Sequence, residues 1–298
     1  MHNLLKDIDS IKGRIIRSES MKKHTSLRVG GPAELFFQPV DTEDLSIFFS
    51  KLRDSVPVFW LGRGSNLLVR DGGISGVVIS SSSIFRQINM INDTLIEVGA
   101  SVPCTMLAKQ CIRWGMAPSE FFSGIPGSFG GALAMNAGAF GHETWDRVIS
   151  VNVINRKGEI LKRDPAQYKV EYRNVEGPKD EWFIGALLEF KSDKISSMEK
   201  QKEMLDLRRN SQPLGKASCG SVFRNPPDFY AARLIEQSNL KGCKIGGAYI
   251  SNKHANFIIN DGSASANDIE RLIKYIRSAV KQNYDIELHC EVRIVGNN

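Results

Sequence analysis

The sequence has no apolar run approaching the roughly 18 residues that cross a bilayer, so no membrane span is expected. Its first 19 residues, MHNLLKDIDSIKGRIIRSE, place a charge every few positions and lack the apolar core of a signal peptide. Cysteine is scarce: five residues, at 104, 111, 219, 243 and 290, odd in number and never spaced C-x-x-C. That argues against a disulfide framework and a zinc site, and leaves reduced thiols in the cytoplasm as the simplest reading. His254 has no cysteine or second histidine at ligand spacing, so no metal is expected there. The net charge of +6, from 39 Lys and Arg against 33 Asp and Glu, comes without a basic run. Nucleic-acid proteins concentrate such charge in a stripe or patch; a small polyanionic ligand suits this chain better than nucleic acid. Internal repeats and low-complexity segments are also missing.

What remains is ordinary for a globular chain. Its 298 residues, 42% hydrophobic and 24% charged, are enough to bury a core and form two or three subdomains. Leu35 to Phe37 predicts a strand, Thr42 caps a helix through Leu45, Phe48, Phe49 and Leu52, and Val56 to Leu61 reads as a buried strand. Further strands are expected at 67 to 69, 77 to 79 and 95 to 98, with Ser80 to Ser83 as a linker. Pro103 opens a helix whose apolar face carries Met106, Leu107, Cys111, Ile112 and Trp114. A hairpin turning at Lys157-Gly158 and a strand at 182 to 190 follow, separated by a polar, irregular segment at 168 to 177. After Ser196 comes a charged connecting helix. The last part holds a helix led by Asp228, a strand at 255 to 259, a long helix at 267 to 283 and a closing strand at 286 to 295. The class is α+β.

Two glycine stretches stand out. Residues 123 to 141, SGIPGSFGGALAMNAGAFG, hold six glycines, four alanines and no charge. Without Cβ atoms a ligand can lie against the backbone, and a turn of glycines can aim several N–H groups at one anion; close packing of a buried helix and turn is the plainer use of such a run. Residues 60 to 73, WLGRGSNLLVRDGG, place a tight turn, Gly62 to Asn66, between two strands. The G-x-G-x-x-G dinucleotide fingerprint is incomplete and no helix follows, which disfavours a Rossmann site. A strand, an N–H-rich turn and a strand make a diphosphate cradle without a helix dipole.

Together these stretches resemble the flavin domain of the vanillyl-alcohol-oxidase (PCMH) type. The whole chain resembles the UDP-N-acetylenolpyruvoylglucosamine reductase family. The likeness runs through His24 to Gly31 (HTSLRVGG), LGRGSNLLVRDGG, GIPGSFGGALAMNAGA, Tyr172-Arg173, SCGSVFRNP at 218 to 226, SNKHANFIIN at 251 to 260 and Glu291-Val292-Arg293. The resemblance implies a two-subdomain FAD-binding fold, at 1–80 and 81–195, followed by an α+β substrate-binding domain at 196–298. It implies that NADPH reduces noncovalently bound FAD, and that a UDP-sugar enolpyruvyl ether is the substrate. The cofactor would lie on Gly62, Arg63, Gly64, Ser65 and Asn66, and on Gly124, Ile125, Pro126, Gly127, Ser128, Gly130, Gly131, Asn136, Ala137 and Gly138. Length and the SCGSVFRNP wording resemble the family's shorter form.

Three residues match the family's catalytic positions. Ser221 sits in a small-residue turn expected to lead into an apolar strand at Val222-Phe223; alone it reads as a turn serine bonding its own backbone, and Phe223 breaks the G-x-S-x-G pattern of a hydrolase. In the family its position is the proton donor. Arg173 alone reads as a surface arginine, yet its planar fork matches a carboxylate. Glu291 is either the polar half of an alternating strand or, facing a pocket, a carboxyl kept protonated by burial. Arg224, Lys253 and His254 are candidate cations for the substrate diphosphate, with Asn225 offering amide bonds; the plain alternative is a solvated face.

Two rival readings stand beside this one. A flavoprotein oxidase or dehydrogenase of the same superfamily would often attach its flavin through His or Cys, and neither occurs between Ser123 and Gly141. A UDP-sugar-binding module without turnover would lack Arg173, Ser221 or Glu291, and all three are present.

Overall fold

The structure, a computed structural model, describes residues 10 to 193 and 197 to 298. The first nine residues of the charged N-terminal segment, and the expected division at 195/196, lie outside the described residues. The chain is mixed helix and strand, α+β as the sequence predicts. The described residues form two compact units, one within 10–16, 35–62, 76–193 and 197–207, the other of 17–34, 63–75 and 208–298.

Unit 1 has two layers of helix on sheet. A four-stranded sheet is ordered Arg14–Ser20, Pro32–Gln38, Ile74–Ser80, Val58–Leu61, the last two pairing in parallel. Helix α1 (Thr42–Lys51) packs Leu45, Phe48 and Phe49 onto Leu35, Phe37, Val77 and Ile79. Its cap is Asp41, which accepts from Asp44 N at 2.7 Å, rather than Thr42. A carboxylate one position earlier reaches the first-turn amide and carries charge that the helix dipole favours. A second sheet, antiparallel throughout, is ordered Ile160–Arg163, Val148–Asn155, Glu181–Glu189, Leu95–Gly99, Ile88–Met90. Helices α2 (Cys104–Arg113) and α3 (Phe129–Ala134) cover it through Leu107, Cys111, Phe129 and Leu133.

Local departures have local causes. Pro103 caps α2 instead of lying inside it, and Met106 is exposed, because the apolar face is carried by Leu107, Ala108, Cys111 and Ile112. Ser80 ends the strand and residues 81 to 83 are the turn after it, a linker as expected, but Ser80 and Ser81 are buried and Ser101 Oγ donates to Ser81 O at 2.6 Å. The expected irregular segment is a two-stranded hairpin, Lys169–Glu171 with Asn174–Glu176. Helix α4 (Ser197–Ser211) follows.

Unit 2 packs helices α5 (Ala231–Gln237) and α6 (Ala266–Tyr284) on a three-stranded antiparallel sheet, Lys244–Ile245, Ala248–Ile250, Ile258–Asn260. Helix α5 starts at 231 with its first amide bonded to Asn225 Oδ1 (3.1 Å), so Asp228 does not lead it. The strand expected from 255 is confined to 258–260, the preceding residues being a turn closed by Phe257 N on His254 O. The closing strand is confined to Arg293–Val295, which runs parallel to Leu67–Val69. Residues 286 to 292 keep the alternation, with Leu288 and Val292 buried, but in place of a ladder they make an isolated bridge, Phe223 to Cys290.

Candidate active site

In unit 1 the glycine-rich bed is bonded to the chain that follows strand 95–99. Cys104 N donates to Gly127 O (3.1 Å), Phe129 N to Val102 O (2.8 Å) and Gly130 N to Ala100 O (2.7 Å). Backbones this close leave no space for side chains: a Cβ on Gly130 would lie 2.8 Å from Ala100 Cβ. A Cβ on Gly62 would lie 2.7 Å from Ser128 Oγ, so the start of one glycine stretch rests against the middle of the other. Ser128 caps α3, and Gly127 takes φ 127°, a conformation for glycine alone. Ile125 and Ala137 are buried beneath, Pro126 is exposed, and Gly124 lies under the Phe140 ring. Gly131 is open: a Cβ there would come no nearer than 3.6 Å to Ser128 Oγ.

Within the later part of the bed Asn136 is buried and left-handed at φ 44°. Its Nδ2 donates to Glu143 Oε2 (2.6 Å) and Glu171 O (3.4 Å), and its Oδ1 accepts from Trp145 N (3.1 Å). The side chain expected to touch a cofactor is thus committed to protein. Arg173 sits at the tip of the 169–176 hairpin with φ 56°, a conformation that costs a non-glycine residue about 1–2 kcal/mol. Its guanidinium donates to Gly138 O (2.9 Å) and Asn136 O (3.3 Å), lies 3.8 Å from Glu143 and stacks on Tyr172. With its side chain 14% exposed, it is no free surface arginine.

In unit 2 the turn from Arg63 to Asn66 is held against residues 24 to 26. Gly64 has φ 60°, a Cβ there would stand 1.9 Å from His24 O, and Ser26 N donates to Gly64 O at 3.0 Å. Arg63 is exposed and Ser65 half-buried. Asn66 closes the turn: its Nδ2 donates to Glu291 O (2.9 Å) and its carbonyl accepts from Arg293 N (3.1 Å).

Ser221 and Glu291 lie on adjoining backbones of this unit. Glu291 N donates to Val222 O (2.8 Å), and Arg224 N to His289 O (2.9 Å). Asn256 secures the serine's side of the pair, accepting from Phe223 N (2.9 Å) and donating to Phe223 O (2.8 Å). Both Ser221 and Glu291 are half-buried. Burial pushes the neighbouring Cys219 thiol up to about 12, which makes it inert at neutral pH. Of the expected diphosphate ligands, Asn225 is occupied at the start of α5 and Lys253 Nζ donates to Arg209 O (2.6 Å). Arg224 is half-buried. Burial, helped by nearby Lys241, holds His254 below its ordinary value, so it is neutral at pH 7 and offers hydrogen bonds, not charge. Among the described residues no cluster of His, Cys, Asp or Glu could hold a metal ion.

Residues 33–164 match the FAD binding domain family, and residues 212–295 match the C-terminal domain of UDP-N-acetylenolpyruvoylglucosamine reductase. The chain is 46% identical to the UDP-N-acetylenolpyruvoylglucosamine reductase of Coxiella burnetii (strain Dugway 5J108-111), over 97% of this chain and 98% of that one. The chain belongs to the UDP-N-acetylenolpyruvoylglucosamine reductase family. The reductase of Legionella pneumophila (strain Paris) is also 46% identical, over 96% of this chain and 95% of its own length. The crystal structure of the reductase from Thermus caldophilus superposes with a TM-score of 0.81 at 30% identity, covering 95% of this chain and 98% of that one.

Within this reductase fold, sequence reading missed Glu143 and Asn256. Asn256 lies inside SNKHANFIIN, where a lone amide among polar residues looks like a turn former. Glu143 follows the bed by two residues and looks like a surface acid. Neither has a periodic signal, since each acts by reaching a backbone or side chain away from its own position in sequence.

Proposed function

We propose that this chain reduces the enolpyruvyl ether of UDP-N-acetylglucosamine to UDP-N-acetylmuramate in peptidoglycan precursor synthesis, in the cytoplasm, with NADPH as reductant and noncovalent FAD. The observation that carries this reading is the double match, an FAD domain followed by the reductase's own C-terminal domain. The second match separates the chain from oxidases that share only the flavin fold. The open backbone at Gly131 and the glycine-only conformation of Gly127 fit a diphosphate and ring system laid on the chain. The residues that would hold FAD are those of 62–66 and 124–138. Bound there, it supplies hydride chemistry between NADPH and C3 of the enolpyruvyl group.

The rest falls to side chains. Charge that develops on C2 and its carboxylate needs a fixed cation and a donor. Arg173 supplies the cation, pre-aimed by two bed carbonyls and Glu143. A protonated Glu291 supplies the donor, and Ser221 delivers its hydroxyl proton to C2; a hydroxyl is a weak acid, but it is reliably protonated at pH 7 and the carbanion-like centre is a strong base. Arg224, Lys253, His254 and Asn225 are the proposed contacts of the diphosphate.

Ser221→Ala tests the assignment in stopped-flow absorbance. NADPH should bleach the flavin at a near-parental rate, because that half-reaction does not involve C2. Reoxidation by the enolpyruvyl substrate should slow by about a hundredfold, without a matching loss of apparent affinity, and Ser221→Cys should recover part of it. An alanine variant that reoxidises at the parental rate rules out the role of Ser221.

A further inference from the structure

We infer that Asn66 is a positioning residue for Glu291: its side-chain amide ties the turn at 62–66 to the peptide that carries the glutamate. The inference rests on the proposed role of Glu291. Residues 286 to 292 form no strand, so the glutamate lacks the regular ladder that would fix its height and direction. Its peptide is held instead from both sides. On the N–H side Val222 O accepts at 2.8 Å, from the segment that bears Ser221. On the C=O side Asn66 Nδ2 donates at 2.9 Å.

Beyond Glu291 the same asparagine continues the clamp with its main chain, Asn66 O accepting from Arg293 N at 3.1 Å, and strands 67–69 and 293–295 then run side by side. A shift of the turn is therefore passed to Glu291 through a side-chain bond and a backbone bond. Any grip of the turn on an anion uses main-chain N–H groups, which every substitution at 66 except proline retains. Losing its donor should loosen the aim of Glu291 while leaving the turn able to bind.

The experiment compares Asn66→Ala, Asn66→Asp, Glu291→Ala and the double variant Asn66→Ala/Glu291→Ala. FAD affinity is measured by flavin fluorescence on the apoprotein, and the two half-reactions are followed separately. In the FAD-loaded protein we expect reoxidation by substrate to slow about three- to tenfold in Asn66→Ala, a larger loss than any in reduction by NADPH. Asn66→Asp, isosteric but without the donor, should lose at least as much. In the double variant the asparagine change should add nothing to the loss already caused by Glu291→Ala, which removes the donor that Asn66 aims. If the Asn66→Ala protein does not fold, Asn66→Ser, which keeps a donor, should outperform Asn66→Asp in reoxidation. Multiplying losses in the double variant, or a fall in FAD affinity with parental reoxidation of the refilled protein, overturns the inference. A Glu291→Ala protein that reoxidises like the parent overturns the role of Glu291 itself, and is recognised without reference to the Asn66 variants.

Discussion

Asn136 ties together the later part of the glycine bed, the arginine hairpin and the acid that follows. Its main chain turns left-handed within the bed, its carbonyl accepts from Arg173, and its amide bonds Glu143, Glu171 O and Trp145 N. Asparagine tolerates this backbone better than other residues with a Cβ because its short side chain bonds locally. Two costs are separable by substitution: glycine removes the amide but suits the backbone, whereas alanine removes the amide and suffers the strain. Asn136→Ala should be less stable than Asn136→Gly by about 1 kcal/mol in urea denaturation; equal midpoints would mean that the conformation carries no penalty. At this scale the sequence identified Arg173, Ser221 and Glu291 as positions, through motif likeness. It could not show that Arg173 is committed to two carbonyls, because those partners lie 35 and 37 residues away.

Elements that were misjudged share a cause. The alternation from 286 to 295 predicts one strand, and Leu288 and Val292 do point into the core, yet pairing is confined to 293–295. Period two reports which residues are buried and says nothing about whether a neighbouring strand exists to complete the ladder. Where it is missing, side-chain amides substitute, and Asn256 is the clearest case, satisfying both the N–H and the C=O of buried Phe223. Asn256→Ala should leave these two groups unpaired at roughly 1–3 kcal/mol each, and should slow substrate-driven reoxidation through the displaced Ser221 segment. Calorimetry and stopped flow check the two halves; an unchanged melting temperature would show that other groups or water take over both bonds. The long helix at 266–284 and the 148–163 hairpin were legible because their signals are local: a Ser265 capping box, an apolar stripe and a glycine turn at 158.

On the scale of the molecule, family membership was legible because the motifs run from residue 24 to residue 293 in order. That unit 2 gathers three separate stretches was not, since no local pattern reports contacts between residues 70 and 270. There Arg70 bonds both oxygens of Glu270, at 2.9 and 3.2 Å, and Lys274 lies 3.5 Å away. The hydrogen bonds from Arg70 hold the Glu270 carboxyl below its usual range against an opposing effect of burial. A carboxyl depressed in the folded state stabilises fully above its unfolded value, near 4.5, and loses that contribution as pH falls through the folded one. Glu270→Gln should therefore lower Tm at pH 7 by about 2 °C, with the gap closing as the pH drops below 4.5. A gap that widens in acid would contradict the sign.

The bond from Asn66 to Glu291 spans 225 residues, and strand 67–69 has its parallel partner at 293–295. A ribosome makes the turn early and the strand that braces it late. Throughout most of translation the nascent chain carries the glycine turn without its brace, so the turn acquires its final form only when residues 291 to 295 have emerged. A chain cut short upstream of 291 therefore lacks both bonds that close the turn on its C-terminal side.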